Sequence, residues 1–132
     1  MPRFIRFLAS DAGSAPAEFV MVGGLLTVLT LSVMQLGLAL HVRNTLLDAA
    51  SEGARFGALA DNRLGDGIVR TRDLITTALG PAYANDVTAA AGSYLGHPAA
   101  IVTVRAPLPL IGLFGVTEGL EVVGHAARET LR

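Results

Sequence analysis

Residues 19–40, FVMVGGLLTVLTLSVMQLGLAL, decide the class of this protein. No residue of this stretch is charged, and a helix rising about 1.5 Å per residue makes it long enough to cross a bilayer core of about 30 Å. Its hydroxyl and amide side chains are tolerated in a spanning helix when they hydrogen-bond to the helix's own carbonyls or to another helix. A chain of 132 residues cannot readily bury a helix that is apolar all round. The stretch therefore predicts one transmembrane helix.

The flanks of this helix predict its orientation. Arg3 and Arg6 precede it, against the single acidic Asp11, and an excess of basic residues favours the cytoplasmic side. We therefore expect a single-pass protein of the cytoplasmic membrane, with its N-terminus inside and its C-terminal domain outside. A cleaved secretory signal peptide is disfavoured, because its apolar core usually has about 7–15 residues and Leu38-Ala39-Leu40 is a poor cleavage site.

Composition excludes several other classes of protein. The chain is 52% hydrophobic, has a mean hydropathy of +0.53 and a net charge of −1, and contains no cysteine. The absence of cysteine rules out a disulfide framework and a catalytic thiol. The net charge does not indicate nucleic-acid binding. The three histidines lie far apart, and we find no phosphate-binding loop or nucleophile elbow. We therefore predict no enzymatic activity, and no cofactor, metal site, nucleic acid or small-molecule substrate.

The residues just before the apolar stretch have an unusual order. Gly13 is followed five positions later by Glu18, and Phe19 then opens the apolar helix. A carboxylate at the start of a membrane-spanning helix is unexpected unless it has a function, because a charge is costly in hydrocarbon. Two simpler interpretations remain open: Glu18 favours the positive end of the helix dipole, and Gly13-Ser14 forms an ordinary N-cap region.

This order resembles the prepilin processing site of type IV pilin-like proteins, in particular the Tad/Flp branch. The resemblance implies cleavage between Gly13 and Ser14 by a prepilin peptidase, with the apolar helix retained. Glu18 would then be the fifth residue of the mature chain and Phe19 the sixth, and both would be assembly contacts. A glycine lets a protease approach the backbone closely, and the new amino group on Ser14 would lie about one helical turn from Glu18.

Helical periodicity continues beyond the apolar stretch and predicts an amphipathic stalk. Apolar and small residues recur at spacings of three and four, while polar residues occupy another face. Glu52 and Arg55 lie three apart on that polar face and can pair. The apolar face is Val42, Leu46, Ala49, Gly53, Phe56 and Ala60, and the polar face is His41, Asn44, Asp48, Glu52 and Arg55.

Residues 49–55, AASEGAR, form a second motif, which follows the apolar stretch. This stretch is similar to one found just after the membrane helix in the TadE-like family. The resemblance implies a minor pilin or pseudopilin that takes part in assembly of a Tad/Flp-type pilus or secretion system together with other pilin-like subunits. An uncleaved single-pass adaptor that binds an envelope partner is the alternative.

The C-terminal half predicts a small α+β domain. A turn-rich loop over residues 61–67 precedes a short helix at about 66–79, which Gly80 and Pro81 end. Residues 82–91 are ambiguous and are compatible with a second helical turn or two. Strands at 99–108 and 119–128 are expected to form a two-stranded antiparallel hairpin.

The predicted organisation is a leader at 1–13, a transmembrane and stalk helix at 14–60, and an extracytoplasmic domain at 61–132. The apolar segment 108–116, which includes Leu110 and Phe114, is compatible with a buried loop or an exposed patch, and as a patch it is the expected partner surface of that domain.

Overall fold

The computed structural model describes residues 11–108 and 119–129, with side chains from Ser14 onward. Two helices, a short 3-10 turn and three strands follow one another in this part of the chain. They are α1 (Asp11–Ala58), α2 (Leu64–Leu79), the turn Pro81–Tyr83, β1 (Asp86–Tyr94), β2 (His97–Ala106) and β3 (Leu120–Ala127). The predicted α+β class is confirmed. The predicted leader residues 1–10 and most of the predicted partner surface, including Leu110 and Phe114, lie outside the described residues.

The chain divides into two compact units, Met1–Leu36 and Gly37–Arg132. Helix α1 contributes to both. Its part in the first unit is apolar and exposed: Phe19 is 79% accessible and Leu25 70%. Within the described residues, α1 is the one helix long and apolar enough to cross a membrane, over Ser14–Ala58. Apolar side chains that no protein covers are expected where lipid is the surrounding solvent.

The part of α1 in the second unit buries one face in a small core. Leu46, Ala50 and Ala54 are fully buried, and Val42 and Ala49 are nearly so. Most of the predicted apolar face is confirmed. Phe56 is an exception, since it is 37% exposed, and Ala60 lies beyond the end of α1. The buried face is instead centred on small residues, because neighbouring elements approach the helix too closely for a large side chain.

Helix α2 has a defined start and end. The Asp66 carboxylate accepts a 2.7 Å hydrogen bond from the backbone N–H of Arg63, just before the first turn of the helix. Its negative charge is also favoured there by the helix dipole. The helix begins at Leu64, inside the predicted loop 61–67. Gly80, with φ of 99°, ends it as predicted, and its N–H binds the carbonyl of Thr76.

The sheet is antiparallel, in the order β1-β2-β3. The register places Val87, Val104 and Val122 in one row and Ala89, Val102 and Gly124 in the next, on the face that packs against the helices. The residues between these, at alternate positions of each strand, lie on the opposite face of the sheet. There the Nε of Arg105 forms an ion pair with the Oε2 of Glu121 at 3.2 Å. The pairing of the two predicted strands is confirmed as β2 with β3.

The predicted two-stranded hairpin is wrong in strand number, because β1 adds a third strand. Residues 82–91 hold the end of the 3-10 turn and then most of β1, whereas the sequence left them open to helix. The AAAG run 89–92 has little strand character of its own. Nine consecutive pairs with β2 fix its extended conformation.

A two-residue turn joins β1 to β2. Leu95 and Gly96 both have positive φ, 51° and 80°, which is the backbone of a type I′ hairpin turn. Glycine adopts this conformation freely, but leucine does so only against steric strain. The Leu95 side chain is 82% exposed, so no packing compensates for that strain.

Candidate functional site

The predicted processing residues all lie on helix α1. Gly13, Ser14, Glu18 and Phe19 fall within its first turns, and Glu18 and Phe19 are exposed. Ser14 and Glu18 are four residues apart, so they lie on one face of the helix about one turn from each other. A new amino group on Ser14 would therefore be within reach of the Glu18 carboxylate.

Glu18 is a charge at the start of the apolar part of α1. It makes no hydrogen bond or ion pair with the residues that the structure describes. A carboxylate in this position is costly unless a cation comes to it, because the surroundings have a low dielectric constant.

Pro16 lies inside α1 as that helix stands in the full chain. A proline in a helix interior loses the bond to the carbonyl four residues earlier and its ring crowds that carbonyl, which here belongs to Ala12. If the chain began at Ser14, Pro16 would lie in the first turn, where the missing N–H has no helical partner to lose. The position of Pro16 suits a helix that starts after Gly13.

The hydroxyl groups of the apolar stretch are satisfied within α1. Thr27 donates to the carbonyl of Gly23 at 2.8 Å, Thr30 to that of Leu26 at 2.7 Å, and Ser32 to that of Val28 at 2.7 Å. These bonds remove the cost of placing hydroxyls in hydrocarbon.

The second motif, residues 49–55, lies where α1 meets α2 and the sheet. A Cβ atom on Gly53 would overlap the Thr71 hydroxyl and lie 2.7 Å from the carbonyl oxygen of Gly67. A Cβ on Gly67 would lie 2.6 Å from the carbonyl oxygen of Gly53. The two helices therefore touch backbone to backbone, and only glycine fits at both positions.

The Thr71 hydroxyl lies at the centre of this contact and is fully buried. It donates to the carbonyl of Gly67 at 2.8 Å, with the carbonyl of Ala49 at 3.4 Å from the same oxygen. A buried hydroxyl needs such a partner, because leaving it unpaired costs about 1–3 kcal/mol. Thr71 thus links the first residue of the motif to α2.

The same motif meets the sheet on its other side. A Cβ on Gly124, in the middle of β3, would lie 2.5 Å from the backbone nitrogen of Ser51 and overlap the backbone of Ala50. The small residues of 49–55 therefore let both α2 and β3 approach the α1 backbone. Their role in the structure is close packing of three elements.

The polar residues of the motif face solvent along an open groove of about 430 Å³ between α1 and α2. Glu52 and Arg55 of the motif, together with Asp48 just before it, line the groove beside the apolar Leu74 and Ala78. In the part of the chain that the structure describes, Glu52 and Arg55 do not form the ion pair that their spacing allows. No group of three or more metal-ligating side chains occurs among the described residues.

The helix that carries Gly13, Glu18 and the motif 49–55 matches a known protein family. Residues 13–55 match the family model of TadE-like protein. The TadE-like segment begins at Gly13, contains Glu18 and Phe19, and ends at Arg55, so it holds both motifs. The predicted resemblance is confirmed over this segment, which is about a third of the chain. No curated protein and no solved structure matches the chain.

Three residues that sequence reasoning missed hold the TadE-like segment in place. Gly67, Thr71 and Gly124 all lie outside it, and each packs directly on its backbone. The glycine spacing in the sequence gave a weak signal: Gly53 and Gly57 are four apart on α1, and a Cβ on Gly57 would lie 3.3 Å from the Cα of Gly67. Only the fold shows that these glycines face one another.

Proposed function

We propose that this chain is a minor pilin or pseudopilin, a structural component in the assembly of a Tad/Flp-type pilus or secretion system. The observation that carries the proposal is the TadE-like match over residues 13–55, with Gly13 and Glu18 in place at the start of an exposed apolar helix. A structural role without enzymatic activity is part of the proposal.

Processing is proposed at the bond between Gly13 and Ser14, by a prepilin peptidase that leaves the apolar helix on the mature chain. The absence of a side chain at Gly13 supports this, because a protease needs close access to the backbone it cuts. Pro16 supports it as well, since removal of Ala12 relieves the clash that proline causes in a helix interior.

Glu18 is proposed as the assembly contact. Cleavage creates an ammonium group on Ser14, and an ammonium and a carboxylate attract strongly where water is scarce. Glu18 has no cation among the described residues, so it is open to such a group on a neighbouring subunit. Pairing between chains would set how far adjacent helices are displaced along their axes. Phe19 adds an exposed aromatic surface beside it.

The proposed topology places the N-terminus in the cytoplasm and the second unit outside. Arg3 and Arg6 support it through the preference of basic residues for the cytoplasmic side. In this arrangement the peptidase acts at the inner membrane face, and the other pilin-like subunits meet this chain through their own membrane helices.

The Glu18→Gln variant tests the assembly contact, because it keeps the shape of the side chain and removes its charge. We expect membrane insertion and cleavage to be retained, while co-purification with other pilin-like subunits falls at least about tenfold, as loss of a buried charge pair typically causes. The matched control is Asp48→Asn, an equal change on the exposed polar face of α1. Equal co-purification of the Glu18→Gln variant and the native chain would contradict the proposed role.

A further inference from the structure

The turn between β1 and β2 presents a large apolar side chain to solvent at a cost in stability. Leu95 is 82% exposed and has a φ of 51°, a backbone conformation that is strained for leucine and that asparagine or glycine adopts more easily. Strained residues that the fold itself does not favour are typical of sites that bind another molecule. The side chain of Leu95 is therefore a candidate contact with a partner.

The residue before Leu95 is held in place on the outer face of the sheet. The Tyr94 ring stacks on the His125 ring, with centroids 4.5 Å apart and an interplanar angle of 18°, yet Tyr94 is 48% exposed. An aromatic ring that is already held loses little conformational freedom on binding, and tyrosine is among the residues that contribute most to protein interfaces. Tyr94 and Leu95 together form a small exposed surface, which we call the turn tip.

The turn tip lies at the end of the second unit that is opposite Gly37. The N–H of Arg128 binds the carbonyl of Pro98 at 3.0 Å, and the N–H of Glu129 binds the carbonyl of Ala58 at 2.9 Å. The start of β2 is therefore beside the end of α1, whereas α1 enters this unit at Gly37. The turn tip projects from that end.

The groove between α1 and α2 is a surface that an apolar side chain fits. Its volume of about 430 Å³ is within the range of about 300–1,000 Å³ that is usual for binding clefts, and Ala49, Leu74 and Ala78 form its apolar floor. An apolar centre with a polar rim is the usual arrangement of a protein interface. The turn tip is not part of the lining, so the chain does not fill its own groove.

The polar groups around the two surfaces also match. The rim of the groove has two carboxylates, Asp48 and Glu52, against one guanidinium, that of Arg55, and none of the three forms an ion pair within the described part of the chain. The turn tip has no carboxylate, and His97 follows it directly after the turn. An imidazole donates a hydrogen bond to a carboxylate whether it is neutral or charged.

We infer that the turn tip of one copy of this chain docks in the α1–α2 groove of a second copy, with Leu95 on the apolar floor and His97 towards the carboxylates of the rim. Because the two surfaces differ and lie apart on one chain, the contact is heterologous and repeats from copy to copy. It is also small, so an isolated pair binds weakly and a high local concentration favours the contact.

This inference goes beyond the proposed function. It rests on the second unit alone, and it depends neither on processing at Gly13 nor on the role of Glu18. The N-terminal residue of the mature chain tests the proposed function separately, so the failure of one is distinguishable from the failure of the other.

The test uses crosslinking, because the chain has no cysteine of its own. Ser93→Cys places a thiol beside the turn tip, and Ser51→Cys places one in the lining of the groove. Full chains that carry one cysteine each, with different tags, are mixed in detergent and treated with a short bismaleimide. We expect the mixed pair to be the main product. Thr88→Cys, exposed at the other end of β1, is the control for Ser93→Cys and should give little product.

Two further substitutions show which surfaces the contact uses. Leu95→Asn in the Ser93→Cys chain should lower the rate of crosslinking at least about tenfold, as loss of an interface anchor typically does, although it relieves strain in the turn. Unfolding would therefore not explain the loss. Ala78→Lys in the Ser51→Cys chain places a charge in the groove and should have the same effect. Thr77→Lys, exposed beside the groove, is its matched control and should crosslink like the unsubstituted pair.

Equal crosslinking after Leu95→Asn or after Ala78→Lys would overturn the inference, because the contact would then not use the turn tip or the groove. A main product that joins two Ser93→Cys chains would also overturn it, since the turn tips would then meet each other. The absence of a mixed product would do the same.

Discussion

Gly53 is the residue at which one added methyl group should disturb the second unit most directly. Its missing side chain makes room for the Thr71 hydroxyl and the backbone of Gly67. We expect Gly53→Ala to lower the free energy of unfolding by about 1–3 kcal/mol, the usual cost of overpacking a tight contact. Thermal or denaturant unfolding of the full chain in detergent measures it.

Gly65→Ala is the control for this prediction. Gly65 lies in α2 with nothing within 4 Å of the place where a Cβ would be, so alanine should raise the free energy of unfolding by about 0.5–1 kcal/mol through its higher helix propensity. Equal effects of the two substitutions would show that the contact at Gly53 is not tight.

Leu95 offers a prediction of the opposite sign. Its positive φ of 51° is strained for leucine, and its side chain is exposed. Asparagine tolerates this conformation and is favoured at the first position of a type I′ turn, so Leu95→Asn should raise the free energy of unfolding by about 0.5–1 kcal/mol. Denaturant unfolding compares the variant with the native chain. If the variant unfolded at a lower denaturant concentration than the native chain, Leu95 would have to make a stabilising contact.

The Glu18 neighbourhood shows how much of the site the sequence could predict at this scale. Gly13, Ser14, Glu18 and Phe19 are local in sequence, and a helix fixes their spacing without any tertiary contact. Their position on α1 was therefore predictable. Thr71 and Gly124 were not, because their importance comes from residues 22 and 74 positions away along the chain, Ala49 and Ala50.

At the scale of elements, the stalk part of α1 was predicted with one instructive error. The spacing of apolar residues correctly predicted that Val42, Leu46 and Ala49 are buried. It also predicted burial of Phe56, whose side chain is partly exposed instead. Where backbones approach closely, small residues mark the buried face, so the largest apolar residue is displaced to the edge of the contact.

Strand β1 was missed for a different reason. Alternation predicts a strand when one face is apolar and the other polar, but residues 89–92 are small on both faces. Pairing with β2 determines their conformation, and that information is not local. The β2 and β3 strands were predictable because valines and isoleucine recur in them.

The contact between β3 and α1 gives a prediction about packing of the sheet. A Cβ on Gly124 would overlap the backbone of Ala50, whereas one on Gly92 would meet only the flexible end of Ile101. We expect Gly124→Ala to lower the free energy of unfolding by about 1–3 kcal/mol and Gly92→Ala to change it by much less. Denaturant unfolding monitored by circular dichroism compares the two. The reverse order would contradict the packing of β3 on the TadE-like segment.

At the scale of the whole molecule, the TadE-like segment links two units with different surroundings. Its first half is an exposed apolar helix, and its second half is the stalk on which α2 and the sheet pack. Mutations in the two halves should therefore have separable effects. Changes at Glu18 should affect assembly and leave the stability of the second unit unchanged, whereas changes at Gly53 should destabilise that unit and leave membrane insertion intact.

The measurement that most directly tests the proposed function is the N-terminal residue of the mature chain, by mass spectrometry of the membrane fraction, beside a Gly13→Ala variant. We predict a native chain that begins at Ser14 and keeps the apolar helix, and a variant that remains uncut. A mature native chain that still carries Arg3 and Arg6 would contradict pilin-type processing.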